Sequence, residues 1–405
     1  MPQGNCASNQ MNTKLLIFET HPIQYRAPVY QALERLSPGQ FEVIYASDFS
    51  VRGYKDADFN ASFAWDVPLL AGYRNRILGN EKGRGIEVWS GITAKGVDRI
   101  IDETRPVAIL LCSLTYAFNW AAFLGALRRR IPIWIRVETQ DEAFARGKIK
   151  NIFRYLVYRV LYLGVSKAFY IGKLNRDHLL RHGISSARLV AAHYCVADYV
   201  ANVGEIEKNS LRLELRNRLS IASEDLVISF FGKLIEKKDP GILLQSLGRL
   251  EIQGTRRVHC LIVGSGELEP ALRLQAKELD ASNNVRTIFA GFVNQSQLPP
   301  YYLASDIVVL PSHRMGETWG LVINEALQAG CGAIVSDMVG CHKDFSGWER
   351  VRVFPHGNSQ ELARALGELA AYPRSFDWAR NQMKAYSVDS AALAICRSLD
   401  AMPQP

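Results

Sequence analysis

The seven cysteines of this 405-residue chain form no C-x-x-C pair, and their number is odd. A disulfide framework and a thiolate zinc site are both disfavoured, so reduced thiols in the cytoplasm are the expected state. No run of 18 or more apolar residues occurs, so nothing reads as a helix able to span a bilayer. The opening MPQGNCASNQMNT lacks the apolar stretch of a secretory leader, and residues 1–12 read as a disordered tail. Internal repeats and low-complexity tracts are missing too, which excludes a solenoid. What the chain does have is 48% hydrophobic residues, enough for the cores of two or three domains. Its net charge of +8 lies entirely in the first half: residues 1–205 hold 26 Lys and Arg against 18 Asp and Glu, and the remainder 22 against 22. Such a balance suits nucleic acid, an anionic membrane or a phosphorylated substrate. No RNA-binding motif or basic–aromatic repeat supports the first.

The densest local pattern is GETWGLVINEALQAGCG, Gly316 to Gly332. Ahead of it, DIVVLPS (Asp306 to Ser312) reads as a buried parallel strand, and Leu321 to Ala329 as a helix stopped by Gly330. A strand running through a loop into a helix turns free N–H groups and the positive dipole end toward the sheet edge, which makes an anion site. Glu317 precedes that helix. Glu325 lies within it, between Leu321 and Ala329 on a largely apolar face where a carboxylate needs partners. Similar strand-to-loop transitions occur at LVISFFGKL (Leu226 to Leu234), LIVGSGELEPAL (Leu261 to Leu272) and, in the first half, KLLIFE (Lys14 to Glu19) followed by THPIQYR. VAILLCS (Val107 to Ser113), PIWIRVE (Pro132 to Glu138) and FEVIYAS (Phe41 to Ser47) are further buried strands, and residues 49–85 read as a long irregular excursion.

Four of these elements together resemble the signature of retaining GT-B glycosyltransferases of family 4. They are the E-x7-E of Glu317 and Glu325 with its internal W-G-L, FFGKLIEKKDP, the I-V-G-x-G turn of LIVGSGELEPAL, and FAGFVNQSQLPPYYLASDIVVLPS. The match covers about residues 225–345. HPIQYR in place of a glycine-rich loop resembles the subgroup that serves bacterial surface polysaccharides. The resemblance implies an α/β GT-B fold of two Rossmann-like, doubly wound parallel-sheet domains facing across a cleft. Residues 13–205 are then the acceptor-binding domain, residues 206–380 the nucleotide-sugar-binding domain, and residues 381–405 a helix crossing back to the first. A linker is expected over Ala201–Ser210, with a helix from Leu211.

It also implies roles. A nucleotide-diphosphate sugar, with UDP as the default, would lie against Gly232, Gly264, Gly291, Phe292, Val293, Thr318, Trp319, Gly320 and Leu321. Lys233 and Lys238 meet its diphosphate, Glu317 its sugar hydroxyls, and Glu325 the ribose diol. Lys233, Lys238 and Glu317 form the catalytic group, with no cofactor and no metal. His21, Gln24, Arg26 and Glu138 are the candidates for a glycan, lipid-linked or small-molecule acceptor. The chain departs from the family at Lys233, where arginine is usual, and at Glu138-Thr139, where relatives often carry a histidine. Asp56-Ala57-Asp58 has the form of a metal-binding D-x-D but does not close an apolar strand. A catalytically silent nucleotide-sugar sensor or scaffold is the alternative function.

From Lys148 to Leu163, apolar residues Ile149, Ile152, Phe153, Leu156, Val157, Val160 and Leu161 recur at helical spacing beside Lys148, Lys150, Arg154 and Arg159. Such a stripe is either core with basic neighbours or the face of a helix lying on an anionic membrane, which would make a cytoplasmic enzyme peripheral to the inner membrane face.

Overall fold

The computed structural model describes residues 13–51, 54–56, 61–63, 66–79, 89–92, 94–251, 256–282 and 284–402. The expected tail 1–12 and two residues of the D-x-D, Ala57 and Asp58, lie outside them. The first unit runs β1 (Leu15–Glu19), α1 (Ala27–Leu36), β2 (Phe41–Tyr45), β3 (Tyr54–Asp56), β4 (Ala61–Phe63), β5 (Asn75–Ile77), α2 (Val97–Thr104), β6 (Ala108–Leu111), α3 (Ala117–Arg128), β7 (Ile133–Ile135), α4 (Lys148–Leu161), β8 (Val165–Tyr170), α5 (Lys173–Arg181) and β9 (Leu189–Ala191). The second runs α6 (Glu205–Arg218), β10 (Leu226–Phe231), α7 (Pro240–Leu247), β11 (Val258–Val263), α8 (Glu269–Ser282), β12 (Val285–Gly291), α9 (Leu298–Ala304), β13 (Ile307–Leu310), α10 (Leu321–Gln328), β14 (Gly332–Ser336), α11 (His342–Phe345), β15 (Val351–Phe354) and α12 (Ser359–Ala370), then α13 (Arg380–Met383) and α14 (Val388–Asp400).

Among the described residues, β5-β2-β1-β6-β7-β8-β9 form one parallel sheet and β12-β11-β10-β13-β14-β15 another, with β3 and β4 pairing as a separate antiparallel hairpin. Both are doubly wound. The strands are continuous apolar runs such as LLIF and IVVL because helices cover both faces of each sheet. The chain order reverses between β1 and β6 in the first sheet and between β10 and β13 in the second. A crevice opens at the carboxyl ends of the strands at such a switch point, and ligands of doubly wound folds bind there. Ala391, Ala392, Ile395 and Leu399 of α14 join the first unit's core beside Leu15, Ile17 and Tyr30.

Three features differ from the pattern-based reading. The excursion 49–85 contains β5, which pairs with β2 as the sheet's edge strand. The helix expected from Leu211 starts at Glu205, because Gly204 in an extended conformation and the acidic Glu205 and Glu207 make a favourable first turn. Leu161 of the α4 stripe is buried, but its other six residues are solvent-exposed, with Ile149 84% exposed, Phe153 69% and Val160 69%, so the core reading holds for Leu161 alone. The inward face of the helix is Tyr158, Leu161 and the following Tyr162.

The two units meet through polar contacts that include a buried carboxylate. Asp344 accepts from the Lys173 backbone N–H at 3.2 and 3.0 Å and from the Tyr386 hydroxyl at 3.2 Å. Burial raises its pKa from 3.8 to about 6, more than these donors and Lys173 lower it. A carboxyl with a raised folded-state pKa holds its proton better when folded, so this stabilisation is complete below the unfolded value and is lost as pH rises through about 6. The expected size is about 3 kcal/mol. Asp344→Asn should remove that component, so urea titrations at successive pH values between 4 and 7 should show a shallower fall in stability than for the wild type. Parallel curves would disprove it.

Candidate functional site between the two sheets

β10 ends in a turn through Gly232 (φ 141°) and β11 in one through Gly264 (φ 138°). A Cβ on Gly264 would stand 1.9 Å from the Gly232 carbonyl oxygen, so the two turns can nest only without side chains. The Gly264 N–H donates to the Gly291 carbonyl at 2.8 Å, which ties the end of β12 to the same edge. After β13, the loop 311–320 is pinned by the Gly340 N–H donating to Glu317 O at 3.0 Å and by the Cys341 N–H donating to Trp319 O at 2.9 Å. Gly320 at φ 103° then admits the chain into α10.

These turns enclose a solvent-open cleft of about 810 Å³, with Gly232, Gly264, Phe292, Val293, Leu321 and Glu325 among its walls. Gln24 of the first unit also lines it, whereas Arg26, Glu138 and His21, with which it was grouped by sequence, do not. The Glu325 carboxylate accepts from the Tyr302 hydroxyl at 2.5 Å and from Gln295 Nε2 at 2.7 Å. Burial raises its pKa above the ordinary 4.5, and those two donors lower it only in part. Glu317 is buried and accepts from Lys238 Nζ at 2.5 Å and Ser312 Oγ at 3.3 Å. Burial pushes its pKa up, but Lys238 and Lys237 outweigh that and hold it below 4.5. Lys237 donates to the Gly316 carbonyl at 3.1 Å. It is a site residue that the sequence reading passed over, although the adjacent lysines of EKKDP were its signal.

A second cavity, of about 980 Å³, opens at the switch point of the first sheet, between the loops after β1, β6 and β7. Thr20, Arg26, Glu138, Arg146, Arg154 and Thr318 contribute to it. Arg26 is buried and bonds Glu19 at 2.6 Å and Glu138 at 2.7 Å. Glu138 also accepts from the Tyr194 hydroxyl and, across the cleft, from Thr318 Oγ1 at 3.3 Å. Burial would raise the Glu138 pKa; Arg26 reverses this and holds the carboxyl below its usual range. The loop 311–320 therefore touches both units, since the Gly316 N–H donates to Ala143 O at 2.9 Å. Glu317 sits between two residues that bond the first domain.

Lys238, Glu317, Gly291 and Gly320 are not among the wall residues of either cavity, and three further sequence candidates lie elsewhere. His21 lines neither cavity. Its ring packs on Phe49 at 4.5 Å, and burial, then Arg26, lowers its pKa to about 4. Trp319 is core: its Nε1–H donates to Asn324 Oδ1 at 2.8 Å, and its ring lies 6.0 Å from that of Tyr194. Lys233 is half-buried in the turn after Gly232 and is not among the cleft-lining side chains. Among the described residues, Asp141, His178 and His182 group three metal-type ligands, but Asp141 already pairs with Arg181 at 3.0 Å and Arg154 at 3.4 Å. Only the His178-x3-His182 spacing hints at that cluster along the chain.

Two doubly wound parallel-sheet domains, with Gln24 and Tyr25 of one and the glycine turns and Glu325 of the other around one cleft, define a GT-B architecture. Residues 212–387, less than half of the chain, match the family model described as glycosyl transferases group 1. It is 28% identical over 302 residues to the D-inositol 3-phosphate glycosyltransferase of Streptomyces bingchenggensis, covering 69% of this chain and 65% of that one. It is 28% identical over 129 residues to an uncharacterized glycosyltransferase of Methanocaldococcus jannaschii, 32% of each. The chain thus spans about two thirds of the first relative and one third of the second. Among solved structures, Anabaena HepE in complex with UDP superposes with a TM-score of 0.67 at 16% identity, over 96% of this chain and 100% of that one. The lipopolysaccharide outer core galactosyltransferase WaaB in its apo form gives 0.64 at 14%, over 96% and 99%.

Proposed function

We propose that this chain transfers a sugar from a nucleotide-diphosphate donor, by preference a UDP-sugar, to a glycan, lipid-linked or small-molecule acceptor, with retention of configuration. The observation that carries the reading is the convergence of Lys238, Glu317, the first turn of α10 and Glu325 on the switch point of the second sheet. In this reading the second domain, residues 206–380, holds the donor and the first, residues 13–205, the acceptor.

Glu325 receives the ribose diol, and the backbone of Phe292 and Val293 meets the base. Lys233, Lys238 and the α10 N–H groups take the diphosphate, and Glu317 takes hydroxyls of the sugar. In transfer, the bond from the anomeric carbon to the diphosphate oxygen breaks and the acceptor oxygen bonds that carbon on the same face. The acceptor proton passes to the departing phosphate. The negative charge that develops on the diphosphate is met by groups already in position, an effect worth several kcal/mol of barrier. Arg26 and Glu138, locked together, shape the acceptor side, and Thr318 couples it to the donor loop.

A thermal-shift panel of UDP-, GDP- and ADP-sugars tests the reading, together with an assay for free nucleotide release. UDP-sugar at 100 times its dissociation constant should stabilise the fold by about 2.7 kcal/mol, and acceptor should accelerate UDP release. A shift without release would mark a sensor, and no shift with any donor would end the proposal.

A further inference from the structure

We propose that α4 is a docking helix that lies on an anionic phospholipid bilayer and brings the Arg146- and Arg154-lined cavity to the lipid surface. At 3.6 residues per turn, Ile149, Ile152, Phe153, Leu156, Val157 and Val160 fall within one arc of about 140°. Every one of them is exposed, at between 41% and 84%, and Leu163, just past the helix, is 78% exposed. Lys148 and Arg159 border the arc on one side and Lys150 on the other, while Tyr158 and Leu161 anchor the opposite face in the core. An apolar face with basic margins is the pattern of a helix that lies in the membrane interface with its cations among the headgroups.

The charge chooses the occupant. Residues 143–176 contain eight Lys and Arg and no Asp or Glu. A second copy of the chain related by a two-fold axis would set like charges against each other around the apolar contact, whereas an anionic leaflet neutralises them. The same helix also walls the second cavity: Arg154 and Tyr158, on the side of α4 away from the stripe, line that space. Arg154 lies over the Tyr158 ring, 4.8 Å from its centroid, and Arg146, whose pKa is lowered by burial and then by Arg154, stands beside it. An acceptor with an anionic headgroup would therefore enter from the bilayer past two guanidinium groups. That consequence rests on the acceptor-side reading above, whereas the docking itself does not.

Flotation of the full chain with vesicles of phosphatidylcholine alone, or with about one third phosphatidylglycerol, tests the docking. The wild type should float with the anionic vesicles only, and less at high salt. Ile152→Glu/Leu156→Glu/Val160→Glu and Lys148→Glu/Lys150→Glu/Arg159→Glu should each lower the bound fraction at least tenfold while keeping the UDP thermal shift of the wild type. A wild type that stays at the bottom of the gradient, a triple-glutamate variant that floats as well as the wild type, or a dimer dissolved by the apolar-to-glutamate changes without vesicle binding would each overturn the proposal. Absence of a UDP shift in the wild type would count against the donor reading alone, and flotation would still decide the docking.

Discussion

Replacing Lys238 by alanine is expected to lower kcat by about 10²–10³ while raising the donor KM by less than tenfold. The asymmetry follows from when the charge appears. On the proposed reading the diphosphate already carries its negative charges in the ground state, and the α10 terminus would remain to bind them. The additional charge of the departing nucleotide develops only as the glycosidic bond breaks, so a cation placed there acts mainly on the transition state. Lys238 is held for that task by Glu317 at 2.5 Å, with side-chain exposures of only 17% and 10%. Its loss has a second effect: Glu317 is left buried without its main counter-charge, so its pKa should climb from below 4.5 and the pH profile of kcat should move upward on the acidic side. Lys238→Arg keeps the charge but changes its reach, and should recover part of the rate. Steady-state kinetics of the three proteins across pH, with the UDP thermal shift as the check on folding, decide the matter. A kcat within threefold of wild type for the alanine variant would remove Lys238 from the reaction.

The two sheets were legible because their strands are uninterrupted apolar runs, a pattern that only burial on both faces explains. LLIF, AILL, LVISFF and IVVL all fold as read. The loops after β10 and β11 were legible for a different reason: glycine and charge mark strand ends, and the Gly232–Gly264 contact tolerates nothing larger. Burial direction was not legible. The α4 stripe has the periodicity of a core helix, and periodicity gives the face but not what lies against it. Its neighbours Tyr155, Tyr158 and Tyr162 are amphipathic, so the sequence offers two apolar faces and the structure buries the aromatic one. Pairings between distant segments were equally invisible. Nothing local tells that Arg26 is spent between Glu19 and Glu138, or that the Trp319 ring turns into the core to meet Asn324 five residues on while Tyr194 packs against it. Tryptophan in a W-G-L motif reads as ligand-facing, but a large ring in a loop squeezed between two domains finds more contact inward.

Glu325→Ala is expected to abolish most of the donor's thermal shift, because on the proposed reading this cleft-lining carboxylate takes both hydroxyls of the ribose. Each hydrogen bond from a neutral donor to a charged acceptor contributes about 1.5–3 kcal/mol, and losing two should weaken binding at least 100-fold. At the UDP-sugar concentration that stabilises the wild type by about 2.7 kcal/mol, the variant would then gain only about 0.4 kcal/mol. The fold itself should be little affected. A carboxylate whose pKa is raised by burial is no net support to the native state at neutral pH, and the cleft is open enough for water to reach the Tyr302 hydroxyl and Gln295 amide left behind. The raised pKa also predicts a pH signature: wild-type UDP affinity should fall on acidification sooner than an ordinary carboxyl, pKa 4.5, would cause, since the protonated form loses acceptor strength. Glu325→Gln keeps the shape and one acceptor, so it should bind UDP more weakly than the wild type and without that pH component. Calorimetric titration of UDP into the three proteins from neutral to acidic pH separates these effects. An alanine variant that binds UDP as the wild type does would place the ribose elsewhere in the cleft and leave Glu325 as a partner of Tyr302 and Gln295 alone.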